Sequence, residues 1–368
     1  MERRFLIISA SMGAGHDAVA DELARRLRRD GHRAARRDVL ALLPAGVGAA
    51  LRGGYRASIR HLPSLYSAVY AAFFVGSPHP DSAPLAALAG RRLMAEVERW
   101  RPDAVVSTFH LAAQVTGRLR QRGRLQVPST VVITDFAAHR QWLHPGNDLH
   151  LCVTEAAAAR AREGTGRPAA APGPVVSAEF RGAHRPESGS RSSWREVLSG
   201  LAPGKPPVLI SAGAWGTGSG LLPSAELLAG AGFLPVLLCG RDRRLLRTAA
   251  RRPGVLALGW VNDLPELMAS ACALVDNAAG QTAVQALASG LPVIGYRPLP
   301  GHGAEGVYEM AAAGVSAYAR DPRELLTSVR DLASPGPARE RLLTAACSVF
   351  AGDTARLIRA ARTAATDP

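Results

Sequence analysis

Short apolar runs alternate with longer amphipathic stretches along the 368-residue chain. That rhythm predicts an α/β protein with parallel sheets. In the first half the runs predict strands at Phe5–Ala10, Ala104–Ser107, Ser129–Thr134 and Leu149–Thr154. Helical periodicity falls between them, at Asp17–Arg29, Leu85–Trp100, Leu111–Arg122 and Glu155–Glu163. The second half predicts strands at Val208–Ala212, Leu234–Cys239, Val255–Leu258, Ala273–Asp276 and Val293–Tyr296. Its helices fill Leu221–Ala231, Asp242–Arg251, Asp263–Ala271, Thr282–Ser289, Gly306–Ala313 and Pro322–Leu332. Each half opens alike, with an apolar strand, a Gly-rich turn and a helix. Two doubly wound domains facing each other across a cleft follow, with ligands at the carboxyl ends of the strands. The expected domains are 1–172 and 207–368, joined by a linker over 173–206 that contains Gly173-Pro174 and Glu187-Ser188-Gly189-Ser190. The last helix can pack back onto the first domain.

Residues 46–76 break the rhythm. Arg52, Arg56 and Arg60 recur every four residues, and Tyr66, Tyr70, Phe73 and Phe74 follow. Such a basic and aromatic helix suits a membrane interface, and it equally suits an ordinary core helix pair. Composition narrows the choice of class. Hydrophobic residues make up 47% and charged residues 20%, which is globular rather than disordered. Net charge is +14, carried by Arg, since Lys205 is the one lysine. Residues 1–172 hold 24 basic and 14 acidic residues, and the rest hold 20 and 16. A basic first half points to phospholipid headgroups, nucleic acid or a phosphorylated substrate, or to a solvated surface with no partner. Cys152, Cys239, Cys272 and Cys347 lie far apart, which reads as buried reduced thiols. The apolar run Phe5–Ala10 is too short for a signal peptide, and none reaches the ~20 residues of a membrane span. The expectation is a cytoplasmic protein that touches a membrane from outside.

Three clusters bear chemistry. Gly13-Ala14-Gly15-His16 follows the first strand, where freed N–H groups and a helix N-terminus suit an anion. His16 there is available as a general base, or caps the helix without chemistry. Gly13-x-Gly15-x-x-Ala18 also matches the dinucleotide fingerprint, with Asp38 ending a second strand, so a nicotinamide enzyme is a rival. Thr134-Asp135-Phe136, with His139 and Trp142 beyond, sets a carboxylate at a strand's end. Asp135 is a cleft-facing acid or an N-cap; it shares i, i+4 spacing with His139, but no third metal ligand accompanies them. Asp276–Ala286 runs from a strand through small residues into a helix on which Thr282 and Gln285 share a face.

Taken in order, Ser-x-Gly-x-Gly-His, Thr-Asp-Phe…His…Trp, Gly213-x-x-Gly216-Thr217-Gly218, Cys239-Gly240-Arg241, Gly259-Trp260-Val261, Asn277-Ala-Ala-Gly280-Gln281-Thr282 and Pro300-Gly301-His302 resemble the monogalactosyldiacylglycerol synthase family. That family is related to the bacterial lipid II-forming N-acetylglucosaminyltransferase. The resemblance runs from Phe5 to about Leu332 and is close to the family's actinobacterial branch. It implies a GT-B fold of two Rossmann-like domains and an inverting transfer of a hexose from a UDP-sugar co-substrate to diacylglycerol. No cofactor, metal or nucleic acid is implied; the partners are the donor, the lipid and an anionic inner membrane surface. It implies His16 as base, with Asp135 as partner or rival. The donor would meet Gly213, Gly216, Thr217, Gly218, Ser219, Arg241, Trp260, Val261, Gly280, Gln281, Thr282, Gln285 and His302. The acceptor and membrane would meet Gly13, Gly15, Arg52, Arg56, Arg60, Tyr66, Phe73, Phe74, His139 and Trp142. Two departures stand out. Gln285 replaces the usual ribose-holding Glu, and Pro300-Gly301-His302-Gly303 replaces Pro-Gly-Gln-Glu. The sugar and the acceptor stay open, a polyprenyl-linked phosphoglycolipid among them, as does a non-catalytic nucleotide-binding protein.

Overall fold

Phe5 to Ile8 are four successive apolar residues, and all are fully buried. Only a strand covered on both faces satisfies that pattern. In the computed structural model, which describes residues 1–61, 83–181, 194–218 and 220–361, these residues form β1 (Arg4–Ser9) inside a parallel sheet. The sheet's order is β2-β1-β3-β4-β5-β6, with β2 Arg33–Asp38, β3 Ala104–Ser107, β4 Ser129–Val132, β5 Leu149–Leu151 and β6 Ala169–Ala170. Leu6 and Ile8 join a core with Val105, Leu93 and Val115. Those last two come from α3 (Ala83–Trp100) and α4 (His110–Gln121). Phe5 and Ile7 face the other way, onto Val19, Leu23 and Leu27 of α1 (Ala14–Arg29). Helix α2 covers Val47–His61 and α5 covers Glu155–Thr165, the latter capped by Thr154 and closed at Gly166 in the left-handed region.

A second parallel sheet runs β12-β11-β10-β7-β8-β9. Its strands are β7 Pro207–Ser211, β8 Leu234–Leu238, β9 Leu256–Leu258, β10 Ala273–Asp276, β11 Val293–Tyr296 and β12 Ala317–Ala319. Helices α6 (Trp194–Leu201), α7 (Leu221–Gly230), α8 (Arg243–Ala249), α9 (Leu264–Ala269), α10 (Gln281–Ala288), α11 (His302–Ala312), α12 (Pro322–Ala333) and α13 (Pro337–Ser348) accompany it. The chain divides into two compact units: Met1–Val175 with Ala351–Pro368, and Val176–Phe350. The last helix, Thr354–Ala360, belongs to the first unit because Ala355 and Ile358 are buried against the α1 side of its core. Burying the Ile358 side chain alone is worth about 1.5–3 kcal/mol.

The structure adds elements that the pattern hid. Strand β2, which the sequence marks only by Asp38 at its end, reads Arg-Ala-Ala-Arg-Arg-Asp without an apolar alternation, because it lies at the sheet edge and only Ala34 is buried. Helix α6 occupies 194–201, inside the stretch whose composition reads as linker. Cys347 is exposed on α13, so the expectation of four buried thiols holds for only part of the set. Burial pushes the Cys152 thiol up to about 12, and those of Cys239 and Cys272 up to about 11.

Candidate active site

In the first sheet the strand order reverses between β1 and β3, so the loops leaving those two strands part in opposite directions and expose a crevice at their carboxyl ends. His16 sits there, on the first turn of α1, after Gly13 as N-cap. Nothing lies within 4 Å of where a Gly13 side chain would begin. The His16 Nδ1 is 3.2 Å from the Thr108 backbone carbonyl, just beyond β3, and 3.3 Å from the Thr134 hydroxyl. A carbonyl oxygen can only accept, so Nδ1 carries the proton and Nε2 keeps its lone pair. Phe109 holds the ring edge-on at 5.0 Å between centroids, and Trp142 lies 6.3 Å away. The imidazole thus lies at the start of α1, on the Gly-rich turn where the sequence sets it, and the geometry gives it a basic face.

Asp135 is the second member of this cluster, in the loop after β4, and it caps no helix. Its Oδ2 accepts from the Trp142 indole at 2.9 Å, and its Oδ1 accepts from Thr134 at 3.2 Å. His139 Nε2 stands 3.7 Å from Oδ2. Trp142 is fully buried and His139 nearly so, which places both behind Asp135 rather than on a lipid-facing surface. The Asp135–His139 segment is not helical, and no group of three His, Cys, Asp or Glu among the described residues is arranged to hold a metal. Sequence reading missed Thr108, Phe109 and His110, the last packed edge-on to His139 at 5.5 Å. Their signal was position: they follow β3, which neighbours β1 at the reversal of the strand order.

The second sheet reverses between β7 and β10. The loop after β7 contains Gly213, Gly216 and Gly218, all at positive φ, and Gly220 at φ 72 is the N-cap of α7. The space is closed: a Cβ on Gly216 would lie 2.5 Å from that of Asp242, and side chains on Gly218 and Gly220 would run into Asn277 and Arg297. Asn277, beyond β10, donates to the Thr217 carbonyl at 3.2 Å. Ser219 lies outside the described residues. No side chain caps α7 or α10, so the first N–H groups of both are left to other partners. Gly280 is the α10 N-cap and Gln281 its first residue; Thr282 and Gln285 are half-buried on one face, while Ala283, Val284, Ala286 and Leu287 turn inward. Arg241 stacks over the Trp260 ring at 4.4 Å, and Val261 follows in the loop after β9. His302 opens α11, and its side chain lies outside the described residues.

Beneath α10, the buried Asp276 carboxylate accepts from the N–H groups of Ala278 and Ala279 at 2.9 and 2.7 Å, while burial pushes its proton affinity up. Of the residues read for acceptor and membrane, Gly15 lies in the first turn of α1. Arg52 is ion-paired to Asp38 at 3.1 Å. The Asp38 Oδ1 also accepts from the Leu40 N–H. Thus the acid that a dinucleotide fingerprint would offer to a ribose is engaged within the protein. Arg56 is exposed on α2. The Arg60 side chain, Tyr66, Phe73 and Phe74 lie outside the described residues. No helix among the described residues is long and apolar enough to cross a membrane.

Residues 16–171, which carry this imidazole and carboxylate, match the family described as monogalactosyldiacylglycerol synthase. This part of the chain is similar to that family. A processive diacylglycerol beta-glucosyltransferase of Staphylococcus epidermidis is 28% identical over 241 residues, covering 63% of this chain and 59% of that one. The chain thus spans less than two thirds of that relative's length. The Staphylococcus aureus protein of the same name is 22% identical over 340 residues, covering 90% and 84%. Among solved structures, glycosyltransferase SsfS6 of Streptomyces sp. SF2575, complexed with thymidine diphosphate, superposes with a TM-score of 0.59 at 15% identity, covering 98% of this chain and 100% of that one. The two parallel sheets are those of the GT-B fold.

Proposed function

We propose that this protein is an inverting glycosyltransferase that moves a hexose from a UDP-sugar to the hydroxyl of a diacylglycerol-like lipid at the inner membrane face. The observation that carries the reading is His16, whose Nδ1 proton is held by the Thr108 carbonyl and whose Nε2 is left as a base. The family match over residues 16–171 and the diacylglycerol glucosyltransferases among its relatives support the lipid hydroxyl as acceptor. In this reading Nε2 takes the hydroxyl proton. The oxygen attacks the anomeric carbon on the face opposite the nucleotide, the C–O bond to UDP breaks, and the configuration inverts.

The departing diphosphate carries the developing charge. The Gly213–Gly218 loop, the uncapped start of α7 and the Arg297 guanidinium beside Gly220 suit it. That set supplies charge stabilisation without a metal, so UDP binding measured by calorimetry should persist in the presence of a chelator. The exposed Trp260, under Arg241, offers a face for the base. Gln285 can still both donate to and accept from ribose hydroxyls where the family carries Glu. Incubation with a panel of UDP-sugars and a lipid extract, followed by mass measurement of the product, tests the proposal. One added hexose on a lipid, with β configuration from an α-linked donor, is the expected result. Sugar found only as free hexose, or no use of any UDP-sugar, would remove it.

A further inference from the structure

Hydrogen bonds run in a line from Asp135 to His16, and counting protons fixes their direction. The Trp142 indole N–H can only donate, and it ends on Asp135 Oδ2 at 2.9 Å. The Thr134 hydroxyl has one proton, which goes to Asp135 Oδ1 at 3.2 Å. It therefore turns a lone pair toward His16 Nδ1, 3.3 Å away. Nδ1 carries a proton because the Thr108 carbonyl at 3.2 Å must accept one. The Nδ1–H is thus shared between a carbonyl and a hydroxyl whose own proton is drawn off by a carboxylate.

We infer that Thr134 is a positioning residue that couples the Asp135 charge to His16, so that Asp135 acts through this hydroxyl and is not itself the base. The inference rests on the reading of His16 as the base. Asp135 is poorly placed for that task. Both its oxygens accept hydrogen bonds, Trp142 behind it is fully buried, and His139 Nε2 stands 3.7 Å from Oδ2. A carboxylate held this way is a fixed charge. When Nε2 takes the acceptor's proton, the imidazole becomes a cation. The Thr108 carbonyl and the Thr134 oxygen then both accept from its Nδ1–H, and the hydroxyl dipole, oriented by Asp135, favours the positive ring. No proton leaves Nδ1, Thr134 keeps its own, and Asp135 stays ionised. The neighbouring imidazoles are His139, whose Nε2 is 3.7 Å from Asp135 Oδ2, and His110, with their rings 5.5 Å apart.

Thr134→Val keeps the shape and deletes the hydroxyl, and Thr134→Ser restores it. Two readouts on the full chain test the link. Nitrogen-15 NMR of the histidine rings should show His16 as the Nδ1–H tautomer. Its titration midpoint should fall in Thr134→Val and return in Thr134→Ser. In turnover, Thr134→Val should move the acid limb of kcat to lower pH and cut the plateau roughly ten- to hundredfold, the size expected for a hydrogen bond to a charged group. The donor KM should stay unchanged, and Thr134→Ser should lie within about threefold of the parent. Asp135→Asn should act in the same direction, and the double variant with Thr134→Val should be less than additive. An Nε2–H tautomer in the parent, an unmoved midpoint in Thr134→Val, or a Thr134→Ser variant as impaired as Thr134→Val would each overturn the coupling. A parent protein that transfers no sugar yet shows the midpoint shift would remove the functional reading and leave the Thr134 link standing.

Discussion

The carboxyl ends of the two sheets are built from different material. In the first unit the crevice between β1 and β3 is made of side chains: an imidazole, a hydroxyl, a carboxylate and an indole in hydrogen-bonded contact. In the second unit the corresponding crevice between β7 and β10 is built largely of backbone, with Gly216, Gly218 and Gly220 packed where a Cβ would collide and two helices that start without a side-chain cap. A side-chain site can move a proton. A backbone site can hold an anion, and the nearby Asp276 is turned inward to its own turn. Damage to the first should therefore appear in rate, and damage to the second in donor affinity.

The largest effect expected is at His16. His16→Ala removes the basic Nε2 and should lower kcat by roughly 10²–10⁴-fold, the usual worth of general base catalysis. Affinity for UDP, measured by calorimetry, should barely change, because the loss lies in the other unit. Full turnover in this variant would hand the base to Asp135 and erase the contrast.

Acid should separate the units next. His150 on β5 is fully buried, with no hydrogen-bond partner for either ring nitrogen among the described residues, and burial next to His144 lowers its pKa from 6.5 to about 4. Between those values the unfolded chain holds a proton that the folded one refuses, so the first unit loses stability as pH falls from 6.5 to about 4. The loss is on the order of 3 kcal/mol. Asp276 has the opposite sign. Burial raises its proton affinity when folded, so acidification from neutral toward the ordinary carboxylate range favours the folded second unit. Hydrogen exchange followed peptide by peptide should show β5 opening more easily at pH 4.5 than at pH 7, with β10 unaffected or more protected. His150→Leu should flatten the first response. Equal acid sensitivity of the two sheets in the parent would refute the distinction.

A third effect concerns the glycine scaffold. Gly240 sits at φ 58, and a side chain there would run into the Gly213 carbonyl and lie 2.8 Å from that of Ala214. Both obstacles are backbone, so the loop itself must shift. Gly240→Val should cost about 1–3 kcal/mol of strain and packing. It should weaken UDP binding roughly five- to hundredfold, while the NMR titration of His16 stays put. Unchanged UDP affinity would show that the loop after β7 does not hold the nucleotide.

The same contrast explains what could be read from the chain alone. Glycines at positive φ and the strand-turn-helix rhythm announce themselves, so the Gly213–Gly220 loop and the α10 start were legible. The place of His16, on the Gly-rich turn that opens α1, was legible from the same rhythm. The assembly around it was not. Thr108 and Thr134 enter the site through one carbonyl and one hydroxyl, and neither residue type marks a site by itself. Trp142 was read with the acceptor and membrane residues, whereas its indole is buried and donates to Asp135. The charged edge strand β2 could be read only from Asp38 at its end, because a strand without apolar alternation offers no periodic signal.

The smallest effect expected lies at the membrane, where the excess of basic residues in 1–172 would act. A lipid acceptor leaves the bilayer only at about 0.8 kcal/mol per buried CH₂, so the enzyme would have to come to the surface. Each Arg near an anionic leaflet adds at most about 1 kcal/mol, and salt weakens it. The three arginines read as one stripe are not equivalent, however. Arg52 is ion-paired with Asp38 and packs beside Leu51, which reaches the β1–β3 core. Arg56 is exposed on the solvent side of α2 with Gly53 and Gly54. Sedimentation with anionic vesicles should therefore fall about two- to fivefold for Arg56→Gln at low salt, because Arg56 is the more exposed of the two, and less for Arg52→Gln, which is held at Asp38. Neutral vesicles should bind neither variant nor the parent. UDP affinity should be untouched in both, as expected for a change confined to the first unit. Equal losses from the two substitutions would mean that the Arg52–Asp38 pair opens at the surface, and binding to neutral vesicles as strong as to anionic ones would take charge out of the attachment altogether.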